Sequence, residues 1–582
     1  MSLKTGNKIS DTSFDCSTES EYETRTKKFG YGIFKPKWLQ LLNRAPFLLV
    51  ALSLCAICQG SIVNGFISTS ISSIEKRFSL SSTQSGIFSA FYDVAIVIVL
   101  IPISYYGHKG IVIATGMVAV GAGSILLVLP HFLAGNYSVG GKLKNDLCNL
   151  AKNFELCDQS KDVLNKLWYA ILLLSQLFIG IGAAPLFTIG ISYMDENIAH
   201  SRTAIYLGVY MAVSTIGPAL GFIAGGQLLK IWGDIGKTNY HLLGISGPSD
   251  PRWYGAWWIG FVVVGILSII SAIPLYGFPK ELPEKQKNRL KDIKQTHKDL
   301  DRQYGKSFSE YIKAVRSLLK NPTVLALVLM QTTEAFLMNG FITFIPKVFE
   351  NLFNYTASYA STITGVIVVP MGLLGSLFGA AMAKKVMKFR SMIALSIAFN
   401  TVTLLLCFVF FYRCEQLPLA GVAFDYNGEQ TYKASLNDSC NINCHCDTVY
   451  DPICNPETGI SYYSPCFAGC LTGLCESSCS KTLFLIIFAI LCFFTFSSAI
   501  PIQNASLRVV SFETRDISIG LTWFFMRVLG SIPGAVIFGF AIDRTCVLWK
   551  EDCGDIQSCL RYDAESLSTT MFAFGWHYKL FP

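Results

Sequence analysis

Eleven uninterrupted apolar runs dominate the chain, at 46–66, 86–106, 111–133, 167–191, 204–231, 253–279, 322–346, 359–383, 391–412, 482–502 and 517–542. Each holds roughly 20 residues or more, enough for a helix to cross the hydrocarbon core of a bilayer. Lipid offers backbone amides no partner, so only helices and closed barrels span it, and runs this apolar lack the alternation of barrel strands. The class is therefore an all-α polytopic membrane protein. Composition agrees: 52% of the 582 residues are hydrophobic and only 15% are charged, too few to coat a soluble body of this size. The first 44 residues are polar and mixed in charge, so no cleavable signal is evident, and the first run itself can direct insertion. Residues 1–36 read as a disordered tail.

Lysine and arginine set the orientation. The segment 280–321 carries twelve of them and the short loop "KKVMKFR" (384–390) four, whereas 415–480 carries one, Lys433. Alternation from a cytoplasmic N-terminus puts both basic loops inside and 415–480 outside. The formal charge of +8 is then mostly an inner-face excess, and nucleic acid needs no invoking. Eight of the nineteen cysteines fall in 440–479: Cys440, Cys444, Cys446, Cys454, Cys466, Cys470, Cys475 and Cys479. Outside the cell such density predicts disulfides. Zinc fits less well, because the block has one histidine, His445, and no paired CxxC modules. Three sequons, at Asn136, Asn354 and Asn437, fall in loops the same topology places outside and are glycosylation candidates.

The order is a tail (1–45), six spans (46–279), a basic linker (280–321), three spans (322–413), the Cys-rich loop (414–480), two spans (481–543) and a segment 544–582. Within the linker, "SFSEYIKAVRSLLK" (307–320) puts Phe308, Tyr311, Ile312, Val315 and Leu319 on one helical face, as expected of an amphipathic surface helix. The fifth span of each half is rich in glycine and proline, "IGPALGFIAGG" (216–226) and "LGSIPGAVIFG" (529–539), which suits a repeated transporter fold. Gly217, Gly221 and Gly225 share one face and let backbones approach closely. The alternative is chance likeness between two glycine-rich helices. After span eleven a twelfth span has no room, which places 544–582 outside with Cys546, Cys553 and Cys559; its end resembles the beginning of such a helix.

No energy-coupling motif appears. "GDIGKT" (233–238) has the wrong spacing for a phosphate loop, and no metalloprotease or nucleophile-elbow motif is present, so the sequence gives no reason to expect an enzyme, a metal or a cofactor. What remains is a set of ionisable residues within or at the ends of spans, costly in lipid and so candidates for function. Arg527 lies deep in span eleven, Glu334 in span seven, Asp93 in span two, and His131 closes span three. A buried arginine can hold a carboxylate or sulfate bidentately. It can equally form a structural ion pair with Glu334 or Asp93. His131 is either an interfacial cap or a sensor of external pH.

"DPRWYGAWWIGF" (250–261) gathers three tryptophans at the threshold of span six. Asp250 can cap that helix with Pro251 at its first position, Trp253 and Trp257 then share a face, and Ala256 and Gly260 form a small pair for close packing. Most of the cluster suits an interfacial belt, although Arg252 and Trp257-Trp258 exceed what anchoring requires.

This stretch resembles the signature of the organic anion transporting polypeptides, a branch of the major facilitator superfamily, at Asp250, Arg252, Trp253, Gly255, Ala256, Trp257, Trp258 and Gly260. "STSISSIEKRFSLSSTQSGIFSAFYD" (68–93), "LPHFLAGNYS" (129–138), "IGIGAAPLFTIGISYMDEN" (179–197), "FIPKVFENLF" (344–353) and "RVLGSIPGAVIFGFAIDRTCVLW" (527–549) resemble family blocks in family order, from about 40 to 565. Cys444–Cys470 resembles the family's Kazal-like module. The resemblance implies two six-helix bundles with alternating access, and sodium-independent movement of large amphipathic organic anions such as steroid conjugates, bile salts, prostanoids and thyroid hormones. Bicarbonate or another counter-anion is implied as an exchange partner, and the plasma membrane as location. Arg527 matches an arginine implicated in substrate handling, and His131 a histidine linked to stimulation by low external pH. Asp93 stands where the family usually has glutamate. The missing twelfth span opens a second reading, a transport-inactive variant acting through partners. A third makes the Kazal-like loop a protease inhibitor or adhesion module.

Overall fold

In the computed structural model, all eleven runs are helical and long and apolar enough to cross a membrane. The structure describes residues 28–580, except for 104–108, 138–158, 199–205, 283–307, 413–417, 427–434, 469–480, 511–514 and scattered shorter stretches. The spans are α1 (Ala45–Phe78), α2 (Ser82–Ile103), α3 (Lys109–Leu133), α4 (Gln159–Asn197), α5 (Val209–Leu228), α6 (Trp257–Gly277), α7 (Pro322–Phe353), α8 (Ala357–Lys385), α9 (Phe389–Phe411), α10 (Thr482–Val509) and α11 (Ile517–Asp543). The chain alternates between two faces. One carries the segment 412–481, here the Cys-rich face; the other carries the basic segment between α6 and α7, here the linker face.

Several helices outrun their apolar stretches. α1 and α7 continue past their hydrophobic cores by more than a turn at the Cys-rich face, carrying polar residues into buried positions. Two helices widen into a π turn, α1 at Ser61–Phe66 and α11 at Met526–Ser531; such turns often mark functional sites. α7 starts as its sequence dictates. Pro322 needs no amide hydrogen at N1, and the Asn321 side chain accepts from the Thr323 amide.

Packing divides the helices into two halves, each with its own core, α1–α6 around Trp257, Tyr193 and Phe261 and α7–α11 around Phe344, Phe349 and Phe484. The glycine faces make the seams. A Cβ on Gly221 of α5 would lie 2.6 Å from the Gly65 Cα in the π turn of α1, and one on Gly534 of α11 would lie 2.5 Å from the Phe336 carbonyl of α7. The fifth helix of each half therefore seats on the first helix of that half, which accounts for the likeness of the two glycine-rich blocks.

Three expectations change. Of the tail 1–36 expected to be disordered, 1–27, Gly32 and Ile33 lie outside the described residues, whereas 28–31 and 34–36 are ordered: with the 3₁₀ turn Lys37–Leu42 they dock onto the end of α6. The amphipathic helix forms at Phe308–Leu319; of its described side chains Leu318 packs against Val324 and Val328 of α7, while Ile312 and Leu319 are exposed, and the side chains of Phe308 and Tyr311 lie outside the described set. Beyond α11 the chain does not stay at the Cys-rich face. The strands β1 (Cys546–Asp552) and β2 (Asp555–Tyr562) form a hairpin, and α12 (Ala564–Leu580) returns into the second half against α7 and α9. Ser, Thr, Glu565 and Lys579 dilute the hydropathy of α12, yet Phe574, stacked on Phe538, and Met571 fill a groove.

Candidate transport path and gate

The mid-depth layer is polar and shared by both halves. Asp93 lies eleven residues into α2, and Arg527 sixteen before the end of α11. At about 1.5 Å per residue both sit roughly 16–24 Å below the Cys-rich face. Arg527 Nη1 donates to Asp93 Oδ1, and the guanidinium lies over the Trp523 ring, 5.7 Å from its centre. Asn339 of α7 donates to Asp93 Oδ2 at 3.4 Å and to the Ser531 carbonyl at 2.7 Å. Gln59 of α1 donates to Tyr92 OH at 2.8 Å. Arg527 sits in the π turn Met526–Ser531. Of the two acids weighed as its partner, the structure brings up Asp93. Glu334 accepts instead from Lys579 of α12 at 2.8 and 2.6 Å, and Lys579 also donates to Asn400 at 3.2 Å. Lys579 lines an apolar cavity with Phe341, Val368, Phe410, Phe488 and Cys492.

Above this layer the two halves are fastened at the Cys-rich face. Lys347 of α7 pairs with Glu75 of α1, both almost fully buried, and donates to Ser82 Oγ at 2.8 Å. Tyr562 of the hairpin reaches the same Ser82 hydroxyl at 3.0 Å, and Lys347 lies over its ring. Burial pushes the Tyr562 phenol up to about 12. Lys76 pairs with Glu350 at 3.2 Å. Asp543 at the end of α11 accepts from the Ser82 and Thr83 amides at 2.9 and 2.7 Å and from the Thr83 hydroxyl at 2.6 Å. A carboxylate from the second half thus caps a helix of the first. Sequence reasoning missed Glu75, Lys347, Asp543 and Lys579. The first two stood in quoted stretches, "SISSIEKRF" and "FIPKVFENLF", just beyond the apolar runs.

The tryptophan stretch serves another purpose. α6 begins at Trp257, so Asp250 does not cap it, and Trp253 lies outside the helix rather than on a face with Trp257; Pro251 lies outside the described residues. Before the helix, the chain is bonded edge to edge with 229–233. Trp253 Nε1 donates to the Leu229 carbonyl at 3.0 Å, Trp258 Nε1 to Gly233 at 2.9 Å, and the Ala256 amide to Ile231 at 2.9 Å. Gly255 admits this contact, since a Cβ there would lie 2.5 Å from the Leu229 carbonyl; at Gly260 it would meet the Phe66 ring. Helix formation gives way to these contacts for six residues. Asp250 accepts instead from the Arg252 amide, Nε and Nη2 at 2.9, 3.0 and 2.8 Å. Arg252 Nη2 also pairs with Asp451 of the Cys-rich segment at 3.1 Å. Burial raises the Asp451 carboxyl above its ordinary range, with Arg252 working the other way. His131 is buried rather than at an open mouth, stacked on Trp258 with centroids 5.2 Å apart and edge-on to Trp257; Lys237 donates to its carbonyl at 2.9 Å.

Of the cysteine block, Cys446 and Cys466 form a disulfide and Cys454 is also disulfide-bonded, while Cys440, Cys444, Cys470, Cys475 and Cys479 lie outside the described residues. Cys546 and Cys559 bridge the hairpin, and Cys553 is outside the described set. Asn354 is exposed at the left-handed cap of α7 and Asn437 is exposed; Asn136 is not among the described residues. No cluster of three metal-ligating side chains occurs among the described residues.

Two helical halves around a shared polar layer, gated at one face, define a membrane transporter of the major facilitator fold. Solved structures agree on the fold: the nucleoside transporter NupG (TM-score 0.54, 11% identity, covering 92% of this chain and 98% of that one) and a bacterial homolog of the human lysosomal transporter Spinster (TM-score 0.54, 15% identity, 86% and 83%). The sequence model of the Organic Anion Transporter Polypeptide (OATP) family matches residues 47–567, and the chain belongs to that family. It is 35% identical to solute carrier organic anion transporter family member 4C1 of Rattus norvegicus over 92% of this chain and 80% of that protein. It is 36% identical to member 4A1 of Mus musculus, over 95% and 82%.

Proposed function

We propose that this protein carries large amphipathic organic anions across the plasma membrane, independently of sodium, by alternating access. The proposal sets the Cys-rich face outside and the basic linker inside. Family membership supports the substrate class, and the single observation that carries the mechanism is the Asp93–Arg527 pair on the seam between the halves. An unpaired guanidinium at this depth is costly. Asp93 neutralises it when no cargo is present, which lets the empty carrier reorient. A sulfate or carboxylate entering the path competes with Asp93 for the same fork, while Trp523 and neighbouring apolar side chains take the hydrophobic body. A counter-anion such as bicarbonate would use the same cation on the return. His131, Glu334 and the signature residues are then supports of the path rather than cargo ligands. A low-pH effect through His131 would require unstacking it from Trp258.

The test is uptake of a sulfated steroid by cells expressing Arg527→Ala at normal surface density. Uptake should fall at least tenfold, since a charge-assisted contact contributes about 1.5–3 kcal/mol. Arg527→Lys should restore only part, because an ammonium does not reproduce the bidentate fork. Undiminished uptake in Arg527→Ala removes Arg527 from the mechanism.

A further inference from the structure

Residues 28–31 and 34–44 are built onto the linker end of α1 and α6. The Gly30 amide donates to the Gly277 carbonyl at 3.0 Å and Tyr31 OH to the Ile273 carbonyl at 2.9 Å. Phe29 is buried edge-on to Phe278, and the Gln40 side chain closes the loop on the Phe29 amide and carbonyl at 2.9 and 2.7 Å. The turn Lys37–Leu42 is a 3₁₀ helix, whose period of three eclipses residues i and i+3. Leu39 and Leu42 therefore face the protein, whereas Trp38 and Leu41 face away, 69% and 57% exposed, with Phe34 beside them at 61%.

This fringe does not end in water. It runs into the outward faces of two spanning helices, Phe47, Val50 and Leu54 of α1 and Ile266, Ile270 and Ile273 of α6, which only lipid can cover. The aromatic fringe is thus at the depth where tryptophan sits in a bilayer interface. Four cations surround it, Lys28, Lys35, Lys37 and Arg44, all exposed, and no acid occurs between 28 and 44. Only one of these would be needed to start a positive-inside helix.

We propose that residues 28–31 and 34–44 form a docking site for anionic phospholipid on the linker face. Trp38, Leu41 and Phe34 enter the acyl boundary, and Lys35, Lys37 and Arg44 hold the headgroup phosphate and carboxylate. The site is separate from the path between the halves and stands whether or not the transport reading does. Its preformed backbone is what distinguishes it from a polybasic tail: the residues that carry the cations have fixed backbone positions next to the fringe.

The test uses the full-length protein in phosphatidylcholine nanodiscs containing about 20% of either brominated phosphatidylserine or brominated phosphatidylcholine. The Trp38 fluorescence is isolated by subtracting the Trp38→Phe variant. Brominated phosphatidylserine should quench it about threefold or more strongly than the zwitterionic lipid. In Lys35→Gln/Lys37→Gln/Arg44→Gln the two lipids should quench alike. Should that variant fail to fold, about 1 M salt added to the unsubstituted protein should likewise equalise them. Equal quenching in the unsubstituted protein at low salt overturns the anionic selectivity. Absence of quenching by either lipid overturns the site and would mean that another protein, not lipid, covers the fringe.

Discussion

Lys347→Ala is the sharpest probe of how the Cys-rich face closes. The substitution leaves Glu75, 6% exposed, without its cation and Ser82 Oγ without one partner. Removing one member of a buried pair costs about 3–5 kcal/mol. The neighbouring fasteners are weaker. Lys76–Glu350 is partly exposed, which limits it to about 1 kcal/mol, and the Asp543 cap contributes about 1–2 kcal/mol. Glu75 need not stay dry, however. Separation of the halves at this face hydrates it, so the penalty appears as a shift toward the open state rather than as unfolding. A shift of about 3 kcal/mol is roughly two powers of ten in that equilibrium. Thr343 is buried beneath the pair and faces Ser89 across the halves at 3.4 Å. In Thr343→Cys, the rate of modification by a membrane-impermeant thiol reagent applied from the Cys-rich side reports opening, with Thr343 itself as the background. Adding Lys347→Ala should speed it about a hundredfold. Replacing both partners, Glu75→Gln with Lys347→Met, should return it close to the parent, because no stranded charge remains. An unchanged rate in Lys347→Ala would show that this pair does not hold the gate.

Three further outcomes follow from the same geometry. Gly221→Val puts a branched side chain where the Gly65 Cα already stands 2.6 Å from a Cβ; thermal unfolding in detergent should shift as for a loss of about 1–3 kcal/mol or more, and an unshifted melt would refute the seam. Cys546→Ser/Cys559→Ser opens a loop of separation 13 and should cost about 3 kcal/mol locally, read as faster proteolysis of the 546–562 hairpin with α1–α11 intact. For Tyr562 the folded pKa, about 12, stands above the ordinary 10, so its contribution is full below about pH 10 and is lost as pH rises through 12. Tyr562→Phe should therefore flatten the alkaline loss of melting temperature between pH 10 and 12, and an identical alkaline slope would exclude the phenol.

How much of this could be read beforehand depended on whether a signal was local. Apolar runs announce helices because lipid forbids the alternatives, and all eleven formed. The cysteine block and the paired glycine helices were local too. Glu75 and Lys347 were not, since hydropathy ends a span where its charges begin, whereas α1 and α7 run on because the opposite half supplies each charge with a partner. Asp543 looked like a helix end, and only the fold brings it to the first turn of α2. α12 was hidden by its own polarity: Lys579 argues against a span until Glu334 and Asn400 stand beside it. The tryptophan stretch misled in a different way. Asp-Pro before an apolar run is a sound helix start, but six residues gave up helical bonds for an edge contact with 229–233, which nothing in the local pattern encodes.

The distribution of contacts also argues for how the halves move. Inside each half the seams are backbone against backbone, Gly217 and Gly221 of α5 on α1, Gly530 and Gly534 of α11 on α7, with Cβ clearances of 2.5–2.7 Å. Nothing can slide into such a seam, and separating it gives up close van der Waals packing of backbone on backbone. Between the halves, backbone also meets backbone, Gly86 of α2 against the Ala535 carbonyl of α11 and Gly539 of α11 against the Ser82 carbonyl, and beside these contacts stand the polar fasteners of the Cys-rich face: Glu75–Lys347, Lys76–Glu350, Asp543 on Ser82 and Thr83, Arg252–Asp451. Every one of these can exchange its partner for water. The polar fasteners are thus the readily reversible part of the contact between the halves, and glycine at the inter-half helix pairs lets those helices pivot closely on one another, as rigid-body rocking requires. Asp93–Arg527 differs from the rest because it lies too deep for water to replace Asp93 cheaply. In the proposed mechanism the partner that relieves it is another anion, so the bond at the centre would select cargo while those at the rim hold this face closed.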